Sequence, residues 1–92
     1  MDIDPTLLRA FVAVSETGGF TRAARRLNLT QPAVSHQIRR LEEQVGRALI
    51  RRTTRRLTLT DDGEDFLLHA RQILASLDAL AQRFRTSPVT GV

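Results

Sequence analysis

The chain has 92 residues, enough for one small domain with a modest core, and no cysteine, which excludes a disulfide framework and a thiolate metal site. No run is long and apolar enough to cross a bilayer, and "MDIDPTLLRA" lacks the basic-then-apolar pattern of a secretory leader; the expectation is a soluble cytoplasmic protein with no membrane contact. The formal net charge is +4, and all fourteen basic residues are arginine.

Asp4 and Pro5 read as the N-cap and first position of a helix whose apolar face is Leu7, Leu8, Phe11, Val12 and Val14. "TGG" stops it, with Gly18 or Gly19 in the left-handed conformation. Thr21 is expected to cap a short second helix, "RAARRLNL", whose Ala23 and Ala24 allow close approach by a neighbour. Asn28 and Leu29 end it. Thr30 caps a third helix with Pro32 in its first turn and Gly46 at its end. Its buried stripe is Val34, Ile38, Leu41 and Val45, which spans about 60° of the helical wheel. Pro32, Ser35, His36, Arg39 and Arg40 fill the opposite arc, with Gln31 and Gln37 on the shoulders.

The period then changes. Leu57 and Leu59 alternate with Thr58 and Thr60 as a strand, and Leu49 to Arg52 is its partner. "TTRR" would be the exposed tip, although it has neither Asn-Gly nor any glycine. Thr60 caps a long fourth helix with Asp61, Asp62 and Glu64 at its positive end. Phe66, Ala70, Ile73, Leu77, Leu80 and Phe84 step by 4, 3, 4, 3 and 4, a heptad seam. Asp61 to Arg85 would measure about 37 Å, longer than the roughly 25 Å breadth of a sixty-residue domain. The first two turns can cover the domain's own core. Leu77, Leu80 and Phe84 are expected beyond its reach, and with Ile73 they are assigned to a dimer interface. The expected organisation is a small folded domain over 1–60, a linker or dimerisation helix over 61–86 and a loose tail over 87–92.

The arginines decide the partner. Arg39, Arg40, Arg47, Arg51, Arg52, Arg55 and Arg56 fall within eighteen residues, opposed there only by Glu42 and Glu43. Guanidinium forks suit phosphate and guanine edges, so this block points to a polyanion more strongly than the pI of about 11.4 does. Two short helices joined by a turn, then a third helix and a basic hairpin, describe a mainly α winged helix-turn-helix. That geometry puts the N-terminal half of the third helix into the major groove of double-stranded DNA. There Gln31 and Gln37 can pair with adenine, Ser35 with a base or phosphate, and Arg39 with guanine. Helix caps such as Thr21 and Thr30 suit phosphate, and an arginine at the wing tip suits a narrow minor groove. Taken singly, Gln31, Ser35 and Arg39 are better read as a solvated face; it is the wing beside them that favours DNA contact. Arg22, Arg25 and Arg26 touch phosphate or water, Arg51 and Arg56 are tip or surface charges, and His69 is inert.

The run "LLRAFVAVSETGGFTRAARRLNLTQPAVSHQIRRLEEQVGRALIRR", followed by "LTLTDDGE", resembles the N-terminal DNA-binding domain of LysR-type transcriptional regulators of bacteria. The likeness extends from Leu7 to about Phe84. It implies a winged helix-turn-helix with a long linker helix that pairs antiparallel with its twin, and binding of the homodimer to an interrupted inverted repeat. It puts base and phosphate contacts on Thr30, Gln31, Pro32, Ser35 and His36, and wing contacts on Arg52 and Arg55. It further implies that any small-molecule effector acts through a C-terminal domain absent from this chain. Two positions depart from the pattern. His36 stands where many relatives carry arginine, so that contact is weaker, or lost if the histidine is neutral. Asp62 stands where alanine is frequent, at the junction of wing and helix.

An enzyme is not expected. No nucleophile has an adjacent base, and there is no metal-ligand cluster, no glycine-rich phosphate loop and no sign of a cofactor site. The rival is a protein-interaction module that docks through the long helix. Steep salt dependence of DNA binding separates the two.

Overall fold

A computed structural model describes residues 2–53 and 56–86. Helix α1 (Pro5–Thr17) starts where Asp4 accepts a hydrogen bond from the Thr6 N–H at 2.9 Å, and it ends at Gly18, whose φ of 80° lets its own N–H donate to the Val14 carbonyl. Helix α2 (Phe20–Leu27) corrects the expected start. Its cap is Gly19, and Thr21 lies inside the first turn. The reason is tertiary: Phe20 packs its half-buried ring against the core, so the helix begins two residues earlier than the hydroxyl pattern implies. Asn28, at φ 60°, closes α2.

Helix α3 (Gln31–Val45) is capped by Thr30, whose hydroxyl accepts from the Ala33 N–H at 3.3 Å. It ends at Gly46, φ 79°. Strands β1 (Ile50–Arg52) and β2 (Leu57–Leu59) pair antiparallel, with Ile50 opposite Leu59 and Arg52 opposite Leu57. Thr53 closes this hairpin without glycine. Its N–H and hydroxyl both donate to the Arg56 carbonyl at 2.9 Å, and its hydroxyl accepts from the Arg56 N–H at 3.0 Å.

Helix α4 (Asp61–Thr86) begins at Thr60, whose hydroxyl accepts from the Gly63 N–H at 2.9 Å and donates to the Ala48 carbonyl at 2.7 Å. The Thr60 N–H donates to the Leu49 carbonyl at 3.0 Å. Gly63 lies directly against that carbonyl. A Cβ there would overlap its oxygen and stand 2.9 Å from its carbon.

The core joins Leu7, Leu8, Phe11 and Val14 of α1, Ala23 and Ala24 of α2, and Val34, Ile38 and Leu41 of α3 with Leu49. Phe66 of α4 meets Phe11 edge-on, with ring centroids 5.5 Å apart. Ala70 and Leu74 are buried in the same core, and Leu77 is half-buried against it. This corrects the expectation that Leu77 lies beyond the core's reach, and it adds Leu74. The core-facing steps of 4, 4 and 3 average about 3.7, the period of a straight helix lying along α1 and not the 3.5 of a supercoil. From Asp78 to Arg85 every residue is exposed.

Candidate nucleic-acid interface

The buried stripe of α3 fixes what its other side presents. Val34, Ile38 and Leu41 are buried, which turns Gln31, Pro32, His36, Arg39 and Arg40 to solvent and leaves Ser35 half-buried. Thr30, at the head of the helix, is exposed, and its hydroxyl is already engaged by the Ala33 N–H. Gln37 departs from the base-reading role open to it from sequence: it is half-buried, and its amide oxygen is sequestered from solvent without a hydrogen-bond partner. Thr21 is exposed on the first turn of α2 but caps nothing. The cap residue Gly19 offers no side chain, so the first-turn N–H groups of α2 have no side-chain acceptor.

Among the described residues, ion pairs occupy four of the arginines. Arg26 bonds Glu16 at 2.6 Å, Arg71 reaches the same carboxylate at 3.4 Å, Arg9 bonds Asp78 at 3.1 Å and Arg47 bonds Asp62 at 3.3 Å. These pairs tie α1, α2 and the loop before β1 to one another or to α4. Arg39, Arg40, Arg51, Arg52 and Arg56, all of α3 and the wing, have no carboxylate partner among the described residues. A guanidinium cluster without counter-charges on the protein has its donors free for an outside anion. Arg47, by contrast, leaves the block and braces the wing-to-helix joint through Asp62.

Glu42 was read as a counter-charge to the arginine block and proves to be an anchor. One of its carboxylate oxygens accepts from the backbone N–H groups of Leu49 at 2.8 Å and Ile50 at 3.1 Å. It thereby fastens the start of β1 to the last turns of α3 and sets the wing against the helix. The available signal was its place on the shoulder of the buried stripe, one turn before Gly46. At the other end of β1, Arg52 lies over the ring of Phe20, 4.7 Å from its centroid. Arg55, a wing contact by resemblance, lies outside the described residues, as does the tail 87–92.

On α4, Ile73, Leu80 and Phe84 are large apolar residues exposed by 48%, 56% and 62%. His69 is exposed and lies 3.6 Å from Asp65. Among the described residues no group of three or more His, Cys, Asp or Glu is placed to hold a metal ion, and no helix is long and apolar enough to cross a membrane.

Comparison with known proteins gives this geometry a family. Residues 5–64 match the family described as bacterial regulatory helix-turn-helix protein, lysR family. The chain is 51% identical over 76 residues to the HTH-type transcriptional regulator BudR of Raoultella terrigena, an alignment covering 83% of this chain and 26% of that protein. It is 51% identical over 79 residues to the HTH-type transcriptional regulator AlsR of Bacillus subtilis (strain 168), covering 83% of this chain and 26% of that one. It therefore spans about a quarter of the length of these relatives. Among solved structures, BenM_DBD in complex with benA site 1 DNA superposes with a TM-score of 0.88 at 34% identity, over 98% of this chain and 100% of that one. The CbnR_DBD–DNA complex gives 0.84 at 36% identity, over 90% and 95%. The relatives are named as transcriptional regulators and not as enzymes. With a winged helix-turn-helix fold and this match over most of its length, the chain belongs to the LysR family of bacterial regulatory helix-turn-helix proteins.

Proposed function

We propose that this chain binds double-stranded DNA sequence-specifically as part of a transcriptional regulator acting in the cytoplasm. The observation that carries the reading is the clustering of unpaired charge: Arg39, Arg40, Arg51, Arg52 and Arg56 of α3 and the wing lack carboxylate partners among the described residues and fall within eighteen positions, whereas Arg22, Arg25, Arg83 and Arg85, also without such partners, are spread over α2 and the far end of α4. Helix α3 enters the major groove and reads bases through Gln31, Pro32, Ser35, His36 and Arg39. Thr21 and Thr30 lie against backbone phosphate, and the wing arginines Arg52 and Arg55 reach the phosphates and the minor groove. The DNA in the BenM_DBD and CbnR_DBD complexes, formed by chains about one-third identical to this one, supports the reading.

Two copies act together on an interrupted inverted repeat, joined through Ile73, Leu77, Leu80 and Phe84 of α4. The exposed apolar side chains of that helix support this, since an isolated copy leaves them in water. An effector, in the longer protein, acts through a further domain and not through α1–α4.

Selection from random duplex DNA, with the recovered pool titrated at several salt concentrations, tests the proposal. An inverted repeat with half-sites about one helical turn apart is expected. Affinity should fall linearly on logarithmic axes, with a slope of about −0.9 per phosphate neutralised. Salt-sensitive binding without any recovered sequence would refute base reading by α3.

A further inference from the structure

Phe20 is the first residue of α2 and Arg52 the last of β1, and they meet with the guanidinium over the ring at 4.7 Å from its centroid. The ring is half-buried against the core and so is fixed, whereas Arg52 is exposed. A ring face attracts a guanidinium through its quadrupole but need not engage its five N–H donors. No carboxylate among the described residues pairs with Arg52, so those donors remain available. Beside the pair is a cleft of about 260 Å³ lined by Gly19, Phe20, Arg52, Thr53, Arg56 and Leu57, in which both charged lining residues are arginines. A long side chain already held in place loses less freedom when an anion binds it.

We propose that Phe20 is a positioning residue for DNA binding, its ring holding the Arg52 guanidinium ready for a phosphate of the duplex backbone. The proposal rests on the DNA-binding reading above. It is tested with the 92-residue chain and a mixed-sequence duplex, measuring affinity against salt for the parent, Phe20→Leu, Phe20→Tyr, Arg52→Ala and the double variant Phe20→Leu/Arg52→Ala. Arg52→Ala should lower the salt slope by about one. Phe20→Leu should weaken binding about three- to fivefold, Phe20→Tyr should stay within about twofold, and Phe20→Leu should add nothing in the Arg52→Ala background.

An equal loss from Phe20→Leu in both backgrounds would assign the ring to packing alone and overturn the proposal. In the free parent, whatever any variant's stability, the Arg52 δ-protons should show an upfield ring-current shift in NMR spectra; unshifted protons overturn it as well. A parent without salt-sensitive duplex binding would overturn the DNA-binding reading and this proposal together, whereas the other two outcomes leave that reading standing.

Discussion

Replacing Gly63 with alanine sets two effects of opposite sign against each other. Gly63 lies in the first turn of α4, where alanine should gain up to about 1 kcal/mol in helix propensity. The new Cβ, however, would overlap the Leu49 carbonyl oxygen and lie 2.9 Å from its carbon and 3.3 Å from its Cα. These are backbone atoms, so no side chain can rotate away. The start of α4 must retreat, which lengthens the Thr60-to-Leu49 bond of 3.0 Å and the Thr60-to-Ala48 bond of 2.7 Å. Overpacking costs about 1–3 kcal/mol and each weakened hydrogen bond about 1 kcal/mol. The clash prevails, and the net loss is about 2 kcal/mol, from a total stability of about 5–15 kcal/mol. For a domain of this size that is a fall of roughly 8–16 °C in melting temperature. Urea unfolding followed by circular dichroism measures it directly, with Ser76→Ala, an exposed position on the same helix, as the propensity control. A Gly63→Ala protein as stable as the parent, or more so, would refute the close approach of α4 to Leu49.

The same unfolding assay applies to Glu42→Ala, which strands two N–H groups of buried residues and should cost about 2–3 kcal/mol, while exposed Glu43→Ala stays within about 0.5 kcal/mol; similar values for both would remove the anchoring role. Leu80→Asp should weaken self-association at least about tenfold in sedimentation and leave the fold of the single chain intact by circular dichroism, because Leu80 is exposed there; an unchanged mass would refute the α4 seam. Leu77→Asp is a poorer probe, since Leu77 also packs on the core and its loss would destabilise the fold itself. Asp62→Ala breaks a surface ion pair and should change stability by less than about 1 kcal/mol, with the effect shrinking further in high salt.

Local signals in this chain were legible, and distant ones were not. Asp4, Thr30 and Thr60 each act within three residues of themselves, and the caps they imply are present. Thr21 has the same chemistry but loses its cap role to the packing of Phe20, a tertiary effect. The wing turn lacks the usual glycine because the Thr53 side chain supplies the closure. Glu42 serves amides seven and eight residues away, so its place on the shoulder of the α3 stripe hints at a contact but does not name the partners. Heptad counting found Phe66 and Ala70 but passed over Leu74, since a straight helix along α1 turns a different residue inward every second turn. The arginine block was visible at once. Which of its members lack a carboxylate partner was not, because the partner of Arg47 lies fifteen residues on, in the next helix.

Leu49 is a junction. Its N–H is held by the Glu42 carboxylate of α3, its carbonyl receives the Thr60 N–H and rests on Gly63 of α4, and its side chain is fully buried. Helix α4 leaves this peptide and is then clamped along α1 by Phe66, Ala70, Leu74 and Leu77, so that only its end, from Asp78 to Arg85, extends clear of the core, over about 12 Å. Bending that free end by about 10° would carry its tip only about 2 Å and leave the first turn in place. The clamp insulates: motion at the end remote from the wing is absorbed along α1 before it reaches β1 and α3.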